Sequence, residues 1–189
     1  MSRPVSTAPG RRAATCVGPR AFLRPPRARD RDEFLAAARA SRRLHRARAT
    51  PPATASQFAA YLRRIRGERS IGWLICRATD GRIAGVINLN EIVRGSFHSA
   101  YLGYYAFAES AGQGYMREGL RLVLRHAFAT LRLHRLEANI QPDNAASIAL
   151  VRRCGFRREG FSPRYLKIAG RWRDHERWAI TKEEWRASN

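Results

Sequence analysis

The run Tyr101–Leu131, YLGYYAFAESAGQGYMREGLRLVLRHAFATL, limits the possible folds more than any other stretch. Tyr101–Phe107 is dense in aromatic residues and reads as a strand. Ala111-Gly112-Gln113-Gly114 is a small glycine-bearing turn. From Tyr115 the apolar positions Leu120, Val123, Leu124, Ala127, Phe128 and Leu131 recur at amphipathic-helix spacing, with Arg117, Arg121 and Arg125 on the other face. A strand that feeds such a turn and then a helix leaves backbone N–H groups at the positive end of the helix dipole, where they hold phosphate. The turn lacks the GxxxxGK[ST] of a P-loop and the GxGxxG of a dinucleotide site, so neither nucleotide class is indicated.

The flanking chain supplies an α+β order. Ala21–Arg24 starts a short strand, Asp30 to Glu33 opens a helix through Phe34, Leu35 and Ala38, and SRRLHRARATPPATAS reads as a loop. Ser56 is expected to cap a second helix carrying Phe58, Tyr61, Leu62 and Ile65. Ile71–Ala78 and Ile83–Leu89 flank an Asp80-Gly81 hairpin. After the central helix, Leu133–Ile140 reads as a strand, and Pro142-Asp143-Asn144 as the turn into a helix over Ala145–Arg153 that Gly155 ends. Two strands then surround Ala169-Gly170, and Thr181 to Glu184 has the form of a capping box. Residues 1–20 hold prolines, glycines and arginines with almost no large apolar side chain. They read as a disordered basic tail, and residues 21–189 as one domain.

Net charge is +21, and Lys167 and Lys182 are the only lysines among the 36 basic residues. Such a balance suits acidic partners, RNA or a ribosome surface among them, and disfavours polycationic substrates that need acidic clefts. Cys16, Cys76 and Cys154 show no metal-ligand spacing, so no metal is expected. Scattered thiols and the absence of a membrane-length apolar run point to the cytoplasm.

Four strings resemble the GNAT acetyltransferases. GQGYMREGL is similar to the pyrophosphate loop of the branch that acetylates protein N-termini, with Ala111 and Met116 departing from the strict Q/R-x-x-G-x-G/A form. RLEANIQPDNAASIALVRRCGF, Arg135–Phe156, resembles the family's strand, P-x-N turn and N-x-x-S helix ending in GF. GVINLNEIVRGSFHSAYLGYY, Gly85–Tyr105, and REGFSPRYLKIAGRWRDHERWAIT, Arg158–Thr181, look like the ribosomal-protein-alanine N-acetyltransferases of the RimJ type. The resemblance implies the GNAT fold, a mixed, mainly antiparallel sheet flanked by helices. It also implies transfer of acetyl from acetyl-CoA to an amine, here a protein N-terminal α-amine.

What the resemblance implies for the site follows residue by residue. The N–H groups of Gly112, Gln113, Gly114, Tyr115, Met116 and Arg117 would hold pyrophosphate. Tyr105, Ala106 and Phe107, at the end of a splayed strand, would offer backbone to the pantetheine arm. Asn144 would meet its amides, and Ser147 would lie near the thiol. The tyrosine that protonates the thiolate in many relatives is replaced by Val151, which leaves Ser147 or a water. Glu137 is the candidate base, with a water chain to a carboxylate, or no dedicated base, as the alternatives. A small-molecule acceptor, or a basic ribosome- or RNA-binding module with a vestigial site, are the competing readings.

Overall fold

The computed structural model describes residues 14–46 and 48–187. Eight strands form one sheet in the order β1-β2-β3-β4-β5-β6-β8-β7. They are β1 (Cys16–Val17), β2 (Ala21–Arg24), β3 (Ile71–Arg77), β4 (Ile83–Val93), β5 (Ser99–Ala106), β6 (Arg135–Ile140), β7 (Arg157–Ile168) and β8 (Arg171–Thr181). Only β5 and β6 pair in parallel; every other neighbouring pair is antiparallel. The α+β, mainly antiparallel architecture is the one the sequence order predicts.

Both faces of the sheet are covered near its middle, which is why IGWLIC in β3 is almost uniformly apolar. Trp73 and Ile75 point to the face packed by Leu120, Val123 and Leu124 of α4 (Tyr115–Arg125) and Val151 of α5 (Ala145–Arg153). Leu74 and Cys76 point to the opposite face. There they meet Phe34 and Leu35 of α1 (Arg31–Ala40) and Phe58, Tyr61 and Leu62 of α3 (Ala55–Arg64). The alternation of side chains along a strand thus divides the core into two layers. Past Arg125 the central helix widens into a π turn over His126–Thr130, in which Leu131 N–H donates to His126 O at 3.0 Å.

Several expectations need correction. The tail does not run to residue 20. Cys16–Val17 pairs with Phe22 and Leu23 of β2, and Gly18 N–H donates to Ala21 O at 2.8 Å. Residues 1–13 lie outside the described ones. Thr54, not Ser56, caps α3, accepting from Gln57 N–H at 3.2 Å. The expected loop after α1 holds a one-turn helix, α2 (Arg42–His45). At the other end the capping box stands: Thr181 Oγ1 accepts from Glu184 N–H, and Glu184 Oε2 accepts from Thr181 N–H, opening α6 (Lys182–Ala187).

Gly119 interrupts α4 because Ile75 of β3 packs against it. A Cβ there would stand 2.7 Å from Ile75 Cγ1. Gly119→Ala gains about 1 kcal/mol of helix propensity but forces overpacking that costs about 1–3 kcal/mol. We expect a net loss of stability on denaturant titration. In an Ile75→Ala background the same change should become stabilising, since the obstructing γ carbons are gone.

Candidate active site

The glycine turn is built for a left-handed backbone. Gly112 has φ 74° and Gly114 φ 86°, and Gly114 is the N-cap of α4. A Cβ at Gly112 would meet nothing within 4 Å, so the outer side of the turn is open. Glu118 is the first residue of the helix whose N–H is taken within it, donating to Gly114 O at 3.1 Å. The N–H groups of Tyr115, Met116 and Arg117 are left without an intrahelical acceptor.

The side chains around the turn brace it. Gln113 Nε2 donates to Glu109 O at 2.7 Å. The Met116 sulfur packs against Gly85, where a Cβ would come within 2.6 Å of it. Arg20 Nη2 donates to Gln113 O at 3.0 Å, and its guanidinium lies 5.1 Å from the Tyr115 ring centroid. The Glu118 carboxylate accepts Arg20 N–H at 2.8 Å and Ala21 N–H at 2.9 Å, so its charge is tied to β2 and not presented to the turn. The result is open, electropositive backbone, which fits an anionic pyrophosphate.

The second component is a gap in the sheet. β5 and β6 pair only at Ser99↔Arg135, Ala100↔Leu136 and Tyr101↔Glu137. They then diverge, and a cleft of about 450 Å³ opens between them toward their C-terminal ends. Those ends are where α4 and α5 begin. Leu102, Tyr104, Ala138, Ile140, Asn144 and Ser147 line the cleft on the α4–α5 side, while Asn90, Tyr101, Asn139, Tyr165 and His175 line the other. The cleft therefore passes through the sheet and offers two approaches. Arg48 closes part of its rim, its Nη2 donating to Asp143 O at 3.0 Å and Oδ2 at 2.9 Å. That contact holds the Asp143 carboxyl below the usual carboxylate range.

The predicted residues fall into groups. Asn144 and Ser147 reach the cleft. Asn144 Oδ1 caps α5 by accepting from Ser147 N–H at 3.3 Å, and the Ser147 side chain interacts with the Tyr104 hydroxyl. Gly112 to Arg117 form the turn beyond the cleft. Tyr105, Ala106 and Phe107 do not line it. The Phe107 ring is core, and its N–H donates to Ala84 O at 2.9 Å. Ala106 O accepts from His45 Nε2 at 2.8 Å, which fixes that imidazole's proton on Nε2. The unpaired edge of β5 in the cleft is Leu102–Tyr104. Glu137 also lies outside the cleft; Arg135 holds it at 3.0 Å and Arg177 at 3.9 Å. Val151, where a thiolate acid is missing, is fully buried in the core.

Arg20 has no sequence signal, Tyr104 reads only as part of a strand, and His175 only as part of the Trp172–His175 cluster. Arg20 reaches the turn across 93 residues of chain. Tyr104 places its hydroxyl 3.5 Å from Ser147 O, and burial pushes that hydroxyl's pKa up. His175, 3% exposed, sits in the acceptor-side wall. Among the described residues no group of His, Cys, Asp and Glu could hold a metal ion, and no helix is long and apolar enough to cross a membrane.

Known proteins share this fold. The chain is 44% identical over 106 residues to the [ribosomal protein uS5]-alanine N-acetyltransferase of Escherichia coli (strain K12), covering 56% of this chain and 55% of that protein. The stretches that match the first curated relatives span 66% and 55% of their lengths. Mycobacterium smegmatis RimJ in complex with CoA-disulfide superposes with a TM-score of 0.81 at 30% identity, over 90% of this chain and 89% of that one. A spermidine N-acetyltransferase from Vibrio cholerae, in complex with CoA and spermine, shares the fold at 22% identity and a TM-score of 0.74, over 87% and 97% of the two chains. The profile of the acetyltransferase (GNAT) domain matches residues 20–157, a range that starts at the arginine bracing the glycine turn and takes in the turn, the splayed strands and the capped α5. With that match covering more than half of the chain, the chain belongs to the GNAT acetyltransferase family.

Proposed function

We propose that this protein transfers acetyl from acetyl-CoA to the N-terminal α-amine of a protein, with alanine of a ribosomal protein as the preferred acceptor. One observation carries the reading. The cleft residues on β4, β5, β7 and β8 lie in the two strings that look like the RimJ-type enzymes, those from Ala138 to Ser147 lie in the string that resembles the wider family, and Arg48 is outside all three. The relatives' names support a protein acceptor. The cleft wall supports it too, because its one carboxylate, Glu91, is already paired with Arg69. A polyamine or aminoglycoside would find no free acid to neutralise it. A net charge of +21 suits docking near ribosomal RNA in the cytoplasm, which belongs to the same proposal.

Acetyl-CoA brings a thioester that needs no further activation. The chain's task is to place it and the amine, and to manage protons. In this reading the N–H groups from Gly112 to Arg117 hold pyrophosphate, and Arg20 adds positive charge beside them. The β5 edge at Leu102–Tyr104 and the Asn144 amide hold the pantetheine arm. Ser147 Oγ and the Tyr104 hydroxyl stand where the sulfur must leave. Neither is a strong acid, so their work is to orient the thiol and relay a proton.

Ser147→Ala is accordingly expected to lower kcat about 10- to 100-fold with little change in acetyl-CoA affinity. The test of the function is a panel of peptides with free N-terminal alanine, free serine or a blocked N-terminus, together with spermidine, read by mass spectrometry. Acetylation of spermidine alone would replace this reading with the small-molecule one. No transfer, with acetyl-CoA bound or not, would favour the ribosome- or RNA-binding module.

A further inference from the structure

Removing Glu137 from the cleft leaves the amine without a base, and the acceptor-side wall contains one group able to serve. His175 lies on β8, opposite Ser162 of β7, with its ring centroid 6.2 Å from that of Tyr165. Its Nδ1 is 2.9 Å from Arg173 O. A carbonyl oxygen only accepts, so Nδ1 carries the proton and the lone pair of the neutral ring is on Nε2. No hydrogen bond occupies Nε2 among the described residues, and the side chain borders the cleft. This is the arrangement a general base requires: a fixed tautomer, a shielded ring at the border of the cleft and one nitrogen with no hydrogen bond among the described residues.

We infer that His175 Nε2 takes the proton from the acceptor ammonium. The inference rests on the N-terminal acetyltransferase reading and adds to it the missing base. One proton of the ammonium passes to Nε2 and on to cleft water. The freed nitrogen lone pair forms the N–C bond to the thioester carbonyl as the C–S bond breaks. The nitrogen's next proton leaves with sulfur as the thiol. The ionisable and charged groups around the imidazole are Tyr165 on β7, Arg173 and Arg177 on β8, and Glu137 on β6, which Arg135 holds. Arg48 and Glu91 at the rim are held by Asp143 and Arg69.

The test is His175→Gln, with His175→Asn as the second variant in case the first fails to fold. Each is assayed on an N-terminal alanine peptide across pH. With an intact thermal shift by acetyl-CoA, kcat should fall about 100-fold near neutral pH. The deficit should shrink to a few-fold at alkaline pH, where the free amine no longer needs a base. A structural role would give a deficit independent of pH. In the wild-type protein, the imidazole resonance missing from the variant should shift when the peptide with a free amine binds the CoA complex, and not when its N-acetylated form does. Wild-type kcat with an unchanged pH profile in either folded variant overturns the inference. A wild-type enzyme inactive on every peptide overturns the reading beneath it instead.

Discussion

Gly114→Val should weaken acetyl-CoA binding at least about 100-fold, a loss of about 2.7 kcal/mol, and leave a folded protein. The substitution acts twice. At φ 86° a β-branched residue is strained, at a cost of about 1–3 kcal/mol. The turn can relieve that strain only by reorienting the N–H groups that follow it. The new side chain also occupies the open surface where a phosphate must approach, since the nearest existing atom to a Cβ there is Arg20 Nη1 at 3.5 Å. Gly114→Ala shares the backbone strain with less bulk, so its loss should be smaller, about 10-fold. Calorimetry gives the affinities. The thermal shift gives a second reading, because a ligand of the native state raises the melting temperature by mass action. A valine variant that binds like the parent would remove this turn from the cofactor site.

How far sequence reasoning reached depended on how local each determinant was. The helix Ala145–Arg153 was legible to the residue, because Asn144 and Gly155 mark its ends and φ 88° at Gly155 needs glycine. The Asp80-Gly81 hairpin was equally clear, and Asp80 Oδ1 indeed closes it by accepting Arg82 N–H at 3.0 Å. The strand feeding the glycine turn was placed correctly, but not where its free edge ends. That edge is set by the angle between β5 and β6, a tertiary quantity, and the cleft meets it at Leu102–Tyr104. Glu137 lies outside the cleft for a similar reason. Its strand was right, yet Arg135, two residues before it, and Arg177, on a strand 40 positions later, claim its carboxylate. His175 was visible only as part of a dense WRDH cluster. Its burial follows from β8 lying between β6 and β7, an order no local pattern encodes. β1 is two residues long and exists because β2 offers an edge, so composition alone assigned it to a tail.

That misassigned segment leads to the second large effect. Glu118 Oε1 receives the N–H groups of both Arg20 and Ala21, clamping the start of β2 to the first turn of α4 and setting Arg20 against Gln113 O and Tyr115. Gly18 has to be glycine in the same corner, because a Cβ would come against the Glu118 carboxylate. Glu118→Ala leaves two N–H groups without their acceptor, one of them on a buried residue, and removes two charge-assisted bonds of about 1.5–3 kcal/mol each. A total loss of about 3–5 kcal/mol is expected, equivalent to a fall in melting temperature of about 10 °C for a chain of this size. With Arg20 released, acetyl-CoA should also bind about 10-fold more weakly. Glu118→Gln separates the geometry from the charge. Its amide oxygen can accept both N–H groups, so stability should fall by only about 1 kcal/mol. Removing a negative charge beside an anion site should leave acetyl-CoA affinity unchanged or improve it. Deleting residues 1–20 should resemble the alanine change, since it removes β1 and Arg20 together. Deleting only residues 1–13 should leave melting temperature and peptide turnover unchanged, because among the described residues the contacts of this corner are made from residue 14 onward. If the deletion to residue 20 keeps both the parent stability and the parent affinity, the clamp does not support the turn, and Arg20 has no part in holding the cofactor.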